Sequence, residues 1–118
     1  MKKAPAVRDD AALAELTMSV AGFALDIAPA QIASHERGSA RTAFARQVAM
    51  YLCNVAFGLS LSRVAFAFGR DRSTVAHACH IVEDRRESDA FDAWIANLEG
   101  MLRRAPSPGG AIWSELRV

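Results

Sequence analysis

Residues 60–79 read Ser60-Leu61-Ser62-Arg63-Val64-Ala65-Phe66-Ala67-Phe68-Gly69-Arg70-Asp71-Arg72-Ser73-Thr74-Val75-Ala76-His77-Ala78-Cys79, and the punctuation of this stretch decides the fold. Ser60 suits a helix N-cap, because its hydroxyl can accept from an amide that the first turn leaves unpaired. Leu61, Val64, Ala65 and Phe68 follow at helical spacing, and Gly69 ends the helix. Asp71 or Ser73 caps the next helix, whose Val75, Cys79 and Val82 share an inward face. A short helix Ser60–Phe68, a tight turn Gly69-Arg70 and a second helix Asp71–Arg86 make the skeleton of a helix-turn-helix. In such a motif the second helix enters the major groove of duplex DNA, and its first residues meet base edges. Here those residues are Arg72, Ser73 and Thr74, with His77 one turn further on, away from the apolar side. An arginine so placed can donate two hydrogen bonds to guanine O6 and N7, while the hydroxyls suit bases or phosphates.

The spacing of three and four recurs on both sides of this stretch. Upstream, Arg41 to Phe57 predicts a helix with Phe44, Val48, Leu52, Val55 and Leu59 on its core face, closed by Gly58. Before it, Ser34–Ala40 is a polar loop broken at Gly38. Asp9 and Asp10 suit the start of a first helix with the stripe Leu13, Leu16, Val20, Phe23 and Ile27; Pro29 ends that pattern or begins a short helix carrying Ile32. Downstream, Ser88 caps a last helix bearing Phe91, Trp94, Ile95, Leu98 and Leu102. No stretch alternates with period two, so the expected class is all-α: a compact helical bundle containing a helix-turn-helix. Residues 1–8 read as a flexible N-terminus, 9–104 as the DNA-binding domain, and 105–118 as a linker (105–110) with a short apolar tail. In residues 111–118, Ile112, Trp113 and Leu116 fit one helical face, which either docks on its own domain, meets a protein partner, or stays disordered.

With 118 residues, 52% of them hydrophobic and 23% charged, the chain has the makings of one domain around one core. The net charge of +1 conceals an uneven distribution. Six arginines (Arg37, Arg41, Arg46, Arg63, Arg70 and Arg72) lie between positions 37 and 72 against one carboxylate, Asp71. A GC-rich coding bias would favour arginine over lysine but would not remove acids; the pattern reads as a phosphate-facing surface. Arg63 and Arg70 are read as phosphate contacts or as solvated charges, whereas Arg85 and Arg86 are expected to pair with Glu83, Asp84 and Glu87. Cys53 and Cys79 lack metal-ligand spacing, and His77 and His80 lie on a different face from Cys79, so no metal or cofactor is expected. No nucleophile and base stand in an arrangement that predicts an enzyme. Met1-Lys2-Lys3 is not followed by an apolar segment, and no run is long enough to span a bilayer; the expected location is cytoplasmic, on the nucleoid, without a membrane partner.

Two segments carry a resemblance: Ala45-Arg46-Gln47-Val48-Ala49-Met50-Tyr51-Leu52, and Phe68-Gly69-Arg70-Asp71-Arg72-Ser73-Thr74-Val75-Ala76-His77-Ala78, with Gly58-Leu59-Ser60-Leu61 between them. In these the chain resembles the C-terminal DNA-binding domain of the bacterial replication initiator DnaA, a fold related to the Trp repressor. The likeness runs from about Leu16 to Leu102. It implies that Arg46 contacts phosphate at the head of its helix, and that the loop Ser34–Ala40, with Arg37 and Arg41, occupies the place of a basic loop reaching into the minor groove. It also puts Asp71, Ser73 and Thr74 on base- or backbone-contacting positions, with His77 beside them. Arg72 stands where the family has a histidine, which implies an altered base preference; the turn carries one glycine where the family has a pair; and Glu36 intrudes into the loop. The chain has no Gly-rich phosphate loop ending in Lys-Ser/Thr, so the expectation is a reader of double-stranded DNA without an ATPase. Such a reader would regulate transcription or compete at initiator-type sites. The alternative is an interaction module that kept the fold and lost DNA binding.

Overall fold

The computed structural model of the protein describes residues 7–106 and 110–117; most of the expected flexible N-terminus and half of the expected linker lie outside the described residues. The chain runs through α1 (Val7–Leu25), α2 (Pro29–Ala33), α3 (Ala40–Phe57), α4 (Leu61–Phe68), α5 (Arg72–Arg85), α6 (Asp89–Arg104) and α7 (Gly110–Leu116). The described residues contain no strand, as the absence of any period-two stretch predicts.

Helix α3 forms the axis of the bundle, and α1, α2, α4, α5 and α6 all pack against it. Its sequence shows why no single stripe describes it. Ala45, Val48, Ala49, Met50, Leu52 and Cys53 are all buried, whereas Phe44 and Val55, expected on the core face, are only partly covered. A helix surrounded by neighbours has no solvent face to keep polar. Ser39 caps α3 by accepting from the Thr42 amide at 3.1 Å, and the helix ends before Gly58.

The expected stripe on α1 is corrected. Ala14, Thr17 and Ala21 face inward, Leu13, Leu16 and Val20 flank them, and Phe23 is 92% exposed. Phe23 lies two residues beyond Ala21, about 200° around the helix, and so points away from α3. The small inward residues let the two helices approach closely, which places the larger side chains at the edges of the contact. Helix α1 closes where Asp26 takes a left-handed conformation and Ile27 N–H donates to Gly22 O at 2.8 Å. A Cβ on Gly22 would stand 2.5 Å from Ile27 O, so only glycine permits this closure. The chain then turns into α2, whose Ile32 is fully buried, so of the two readings of Pro29 the short helix is the one formed.

The C-terminal end of α5 is tied to α3 and α6 through one guanidinium. Arg86 donates to Asp92 Oδ1, to Glu99 Oε1 and, at 2.8 Å, to the Tyr51 hydroxyl, which itself donates to Glu83 Oε2 at 2.8 Å. Arg86 thus stays inside the protein as expected, but with partners on α6 and α3 instead of Asp84 or Glu87. Arg85 lies over the Phe44 ring, 4.8 Å from its centroid. These contacts and the buried Ile95, Leu98 and Leu102 hold α6 to the bundle.

Candidate nucleic-acid interface

Ser60 Oγ accepts from Arg63 N–H at 3.2 Å and starts α4; Gly69, with φ of +63°, ends it, and Arg70 N–H donates back to Ala65 O at 2.9 Å. Two residues later α5 begins. Its Val75, Ala78 and Val82 are buried on the bundle, while Arg72, Ser73, Thr74 and His77 are exposed. The second helix of the motif is therefore anchored along one side and presents its first turn to solvent. Asp71 occupies the N-cap position, but its carboxylate makes no cap hydrogen bond, contrary to the expectation of a side-chain cap. That carboxylate stands exposed beside Arg72.

The six arginines of the cationic block divide into two groups. Arg37, Arg41 and Arg72 are exposed. Arg41 keeps one bond, to Leu25 O at 3.3 Å, and lines an open groove with Gln31, Ser34, Glu36 and Ser39, so an acid does sit among the loop cations. The other three turn to partners within the protein. Arg63 makes a two-pronged ion pair with the buried Asp10, at 2.9 and 2.5 Å, which ties α4 to α1. Arg70 donates to Ser34 O at 2.6 Å and to Phe68 O at 3.3 Å.

Arg46 departs furthest from its expected place at a phosphate. Only 9% of it is exposed, and its guanidinium donates to Ile32 O at 2.7 Å and to Gln31 O and Ser34 O at 3.0 Å. These carbonyls lie at and just beyond the C-terminal end of α2, where a helix leaves acceptors unpaired and a cation is favoured. Burial, and secondarily the charge of Arg70, lower its pKa from the usual arginine value. Arg46 thus binds a helix end of its own chain.

These bonds unite the loop and the turn. Ser34 O accepts from both Arg46 and Arg70, and His35 Nε2–H donates to Gly69 O at 3.0 Å. The loop that carries Arg37 is therefore fastened to the turn that precedes α5. Sequence reasoning passed over Ser34, His35 and Asp10 as functional neighbours. Their contacts with Arg46, Arg70, Gly69 and Arg63 bridge 12 to 53 positions, and a polar loop residue gives no periodic signal of such a partner.

On α7, Ile112, Trp113 and Leu116 are each more than half exposed, so their shared face is not covered by the domain. Among the described residues no group of three or more His, Cys, Asp or Glu side chains could hold a metal ion, and no helix is long and apolar enough to cross a membrane.

The family model described as the bacterial dnaA protein helix-turn-helix matches residues 18–82, which span the C-terminal part of α1, all of α2 to α4 and most of α5. Chromosomal replication initiator protein DnaA 1 of Protochlamydia amoebophila is 41% identical over 71 residues, covering 58% of this chain and 15% of that protein. The corresponding DnaA 2 of Chlamydia trachomatis is 44% identical over 58 residues (47% and 13%), and DnaA of Laribacter hongkongensis is 45% identical over 60 (49% and 12%). A crystal structure of a DNA replication initiation factor superposes with a TM-score of 0.72 at 30% identity, over 81% of this chain and 30% of that one. The chain thus spans about one-seventh or less of the length of these curated relatives.

Proposed function

Because this chain belongs to the family of the bacterial dnaA protein helix-turn-helix, we propose that it binds double-stranded DNA in a sequence-dependent way through the first turn of α5. The observation that carries this reading is the exposed set Arg72, Ser73 and Thr74 at the N-terminal end of a helix whose opposite side is packed on the bundle. In this reading Arg72 reads a guanine, the Asp71 carboxylate accepts from an exposed amino group such as cytosine N4, and Ser73, Thr74 and His77 meet bases or the adjacent backbone. Arg37, on the loop fastened beside the turn, and Arg41, in the first turn of α3, reach phosphates or the neighbouring minor groove. The protein acts by occupying such sites, as a regulator of transcription or as a competitor at initiator-type boxes.

The test is selection from random duplex DNA at near-physiological salt, followed by titration of the chain and of R72A on the enriched site. Arg72→Ala is expected to cost about 1–3 kcal/mol and to relax preference at one base position. An unchanged preference in R72A removes Arg72 from the reading head. Failure of the parent chain to retain any duplex with a salt-dependent affinity refutes the whole proposal, since phosphate contacts must release counterions.

A further inference from the structure

The loop between α2 and α3 is anchored near both of its ends. At the first, Arg46 holds the carbonyls of Gln31, Ile32 and Ser34, Arg70 shares Ser34 O, and His35 joins the loop to the α4–α5 turn; at the other, Ser39 caps α3. The turn is shaped to receive this contact. A Cβ on Gly69 would stand 3.1 Å from His35 Nε2, and the residue's positive φ already disfavours an L side chain. Nothing about the packing of α5 requires this arrangement, because Val75, Ala78 and Val82 fix that helix from the opposite side. What the bonds do is set the position of the loop, with its exposed Arg37, relative to the start of the recognition helix.

We propose that Arg70 is a positioning residue: through Ser34 O it holds the α2–α3 loop and the reading head as one preformed surface, so that Arg37 and Arg72 engage a single duplex in fixed register. The inference rests on the DNA-binding reading and adds to it the means by which two separate segments act together. An untied polar loop would have to be ordered at each binding event, which weakens association; a loop already bonded in place avoids that cost. Arg70 is then needed for DNA affinity without touching DNA.

Two measurements on the full chain and on R70M test this. The first uses no DNA: amide hydrogen exchange at Ser34 and Glu36, both hydrogen-bonded here, is expected to accelerate about tenfold in R70M, while the amides of residues 78–82 in α5 keep their protection. Unchanged exchange at Ser34 and Glu36 overturns the positioning role. The second is a double-mutant cycle on a 30-base-pair duplex enriched from a random pool. Arg37→Ala is expected to lower affinity about fivefold in the parent chain and to have little further effect in R70M, because coupled sites are not additive. Full additivity overturns the proposal, since it is the result expected if Arg70 bound a phosphate on its own account. If the parent chain binds no duplex, the DNA-binding reading fails, and with it the role in DNA affinity; the exchange result then reports only on the loop. Should R70M fail to fold in a thermal melt, H35A removes the other, exposed strut and carries both measurements.

Discussion

Replacing Arg46 by methionine separates its two readings, phosphate ligand or internal clamp. Methionine keeps an unbranched apolar stem and removes only the guanidinium. Three acceptors lose a charged donor: Ile32 O at 2.7 Å, and Gln31 O and Ser34 O at 3.0 Å. They are not equally harmed. Ser34 O keeps Arg70, and Gln31 O keeps the Ser34 amide at 3.3 Å, whereas Ile32 belongs to a fully buried residue. The stranded Ile32 carbonyl is expected to cost about 1–3 kcal/mol, and the other two together about 1 kcal/mol more. Part of this is offset, because a neutral side chain escapes the burial that depresses the Arg46 pKa. The net expectation is a destabilisation of about 2–3 kcal/mol. For a domain of this size that lowers Tm by roughly 8–15 °C.

Thermal melting by circular dichroism gives the first number. DNA titration across salt concentrations, at a temperature where both proteins are folded, gives the second. If Arg46 is internal, R46M melts early yet keeps the parent's salt dependence. A variant that melts with the parent but whose salt slope is smaller by about one would refute this reasoning, because that is the signature of one lost phosphate contact.

Two further expectations concern stability. Gly69→Ala places an L side chain at φ of +63° and drives its Cβ against the His35 ring at 3.1 Å; a loss of about 1–2 kcal/mol in urea denaturation is expected, and a neutral result would show that the turn has room to relax. Burial holds the Cys53 thiol and the Tyr51 hydroxyl at about 12, against ordinary values of 9.0 and 10.0. Between those limits the unfolded chain has released protons that the native state keeps, so stability is intact below pH 9 and falls as pH rises toward 12. Urea midpoints at pH 8 and pH 10.5 should differ in that direction, and equal midpoints would contradict the assigned environments.

The helix order and most boundaries were legible in the sequence because they depend on local chemistry. Ser60 and Ser88 accept from the amide three residues on, and Gly58 and Gly69 have the left-handed conformation of a helix stop. These signals occupy single turns and need no partner from elsewhere. The burial of α1 was misread at Phe23 because a stripe of large residues was given more weight than Ala14, Thr17 and Ala21, which allow close packing.

The cationic block shows why the interface was harder to read than the fold. By composition its six arginines are equivalent. In the structure Arg37, Arg41 and Arg72 are exposed, Arg41 keeping a single bond to Leu25 O, whereas Arg46, Arg63 and Arg70 turn to acceptors inside the protein. What separates them is the position of carbonyls and carboxylates far along the chain: the end of α2 for Arg46, Asp10 for Arg63, Ser34 for Arg70. An arginine cluster with few nearby acids can therefore serve two different demands, attraction of an external polyanion and pairing with carbonyls or a carboxylate inside the fold. Local sequence cannot divide them, because both favour arginine, whose rigid fork of donors suits carbonyl and phosphate oxygens alike. The smaller outward set bears directly on affinity. With Arg37, Arg41 and Arg72 as the outward members of the block, Arg72 assigned to a base edge and Glu36 beside Arg37, the salt slope on duplex DNA should be that of roughly two or three phosphate contacts, not six.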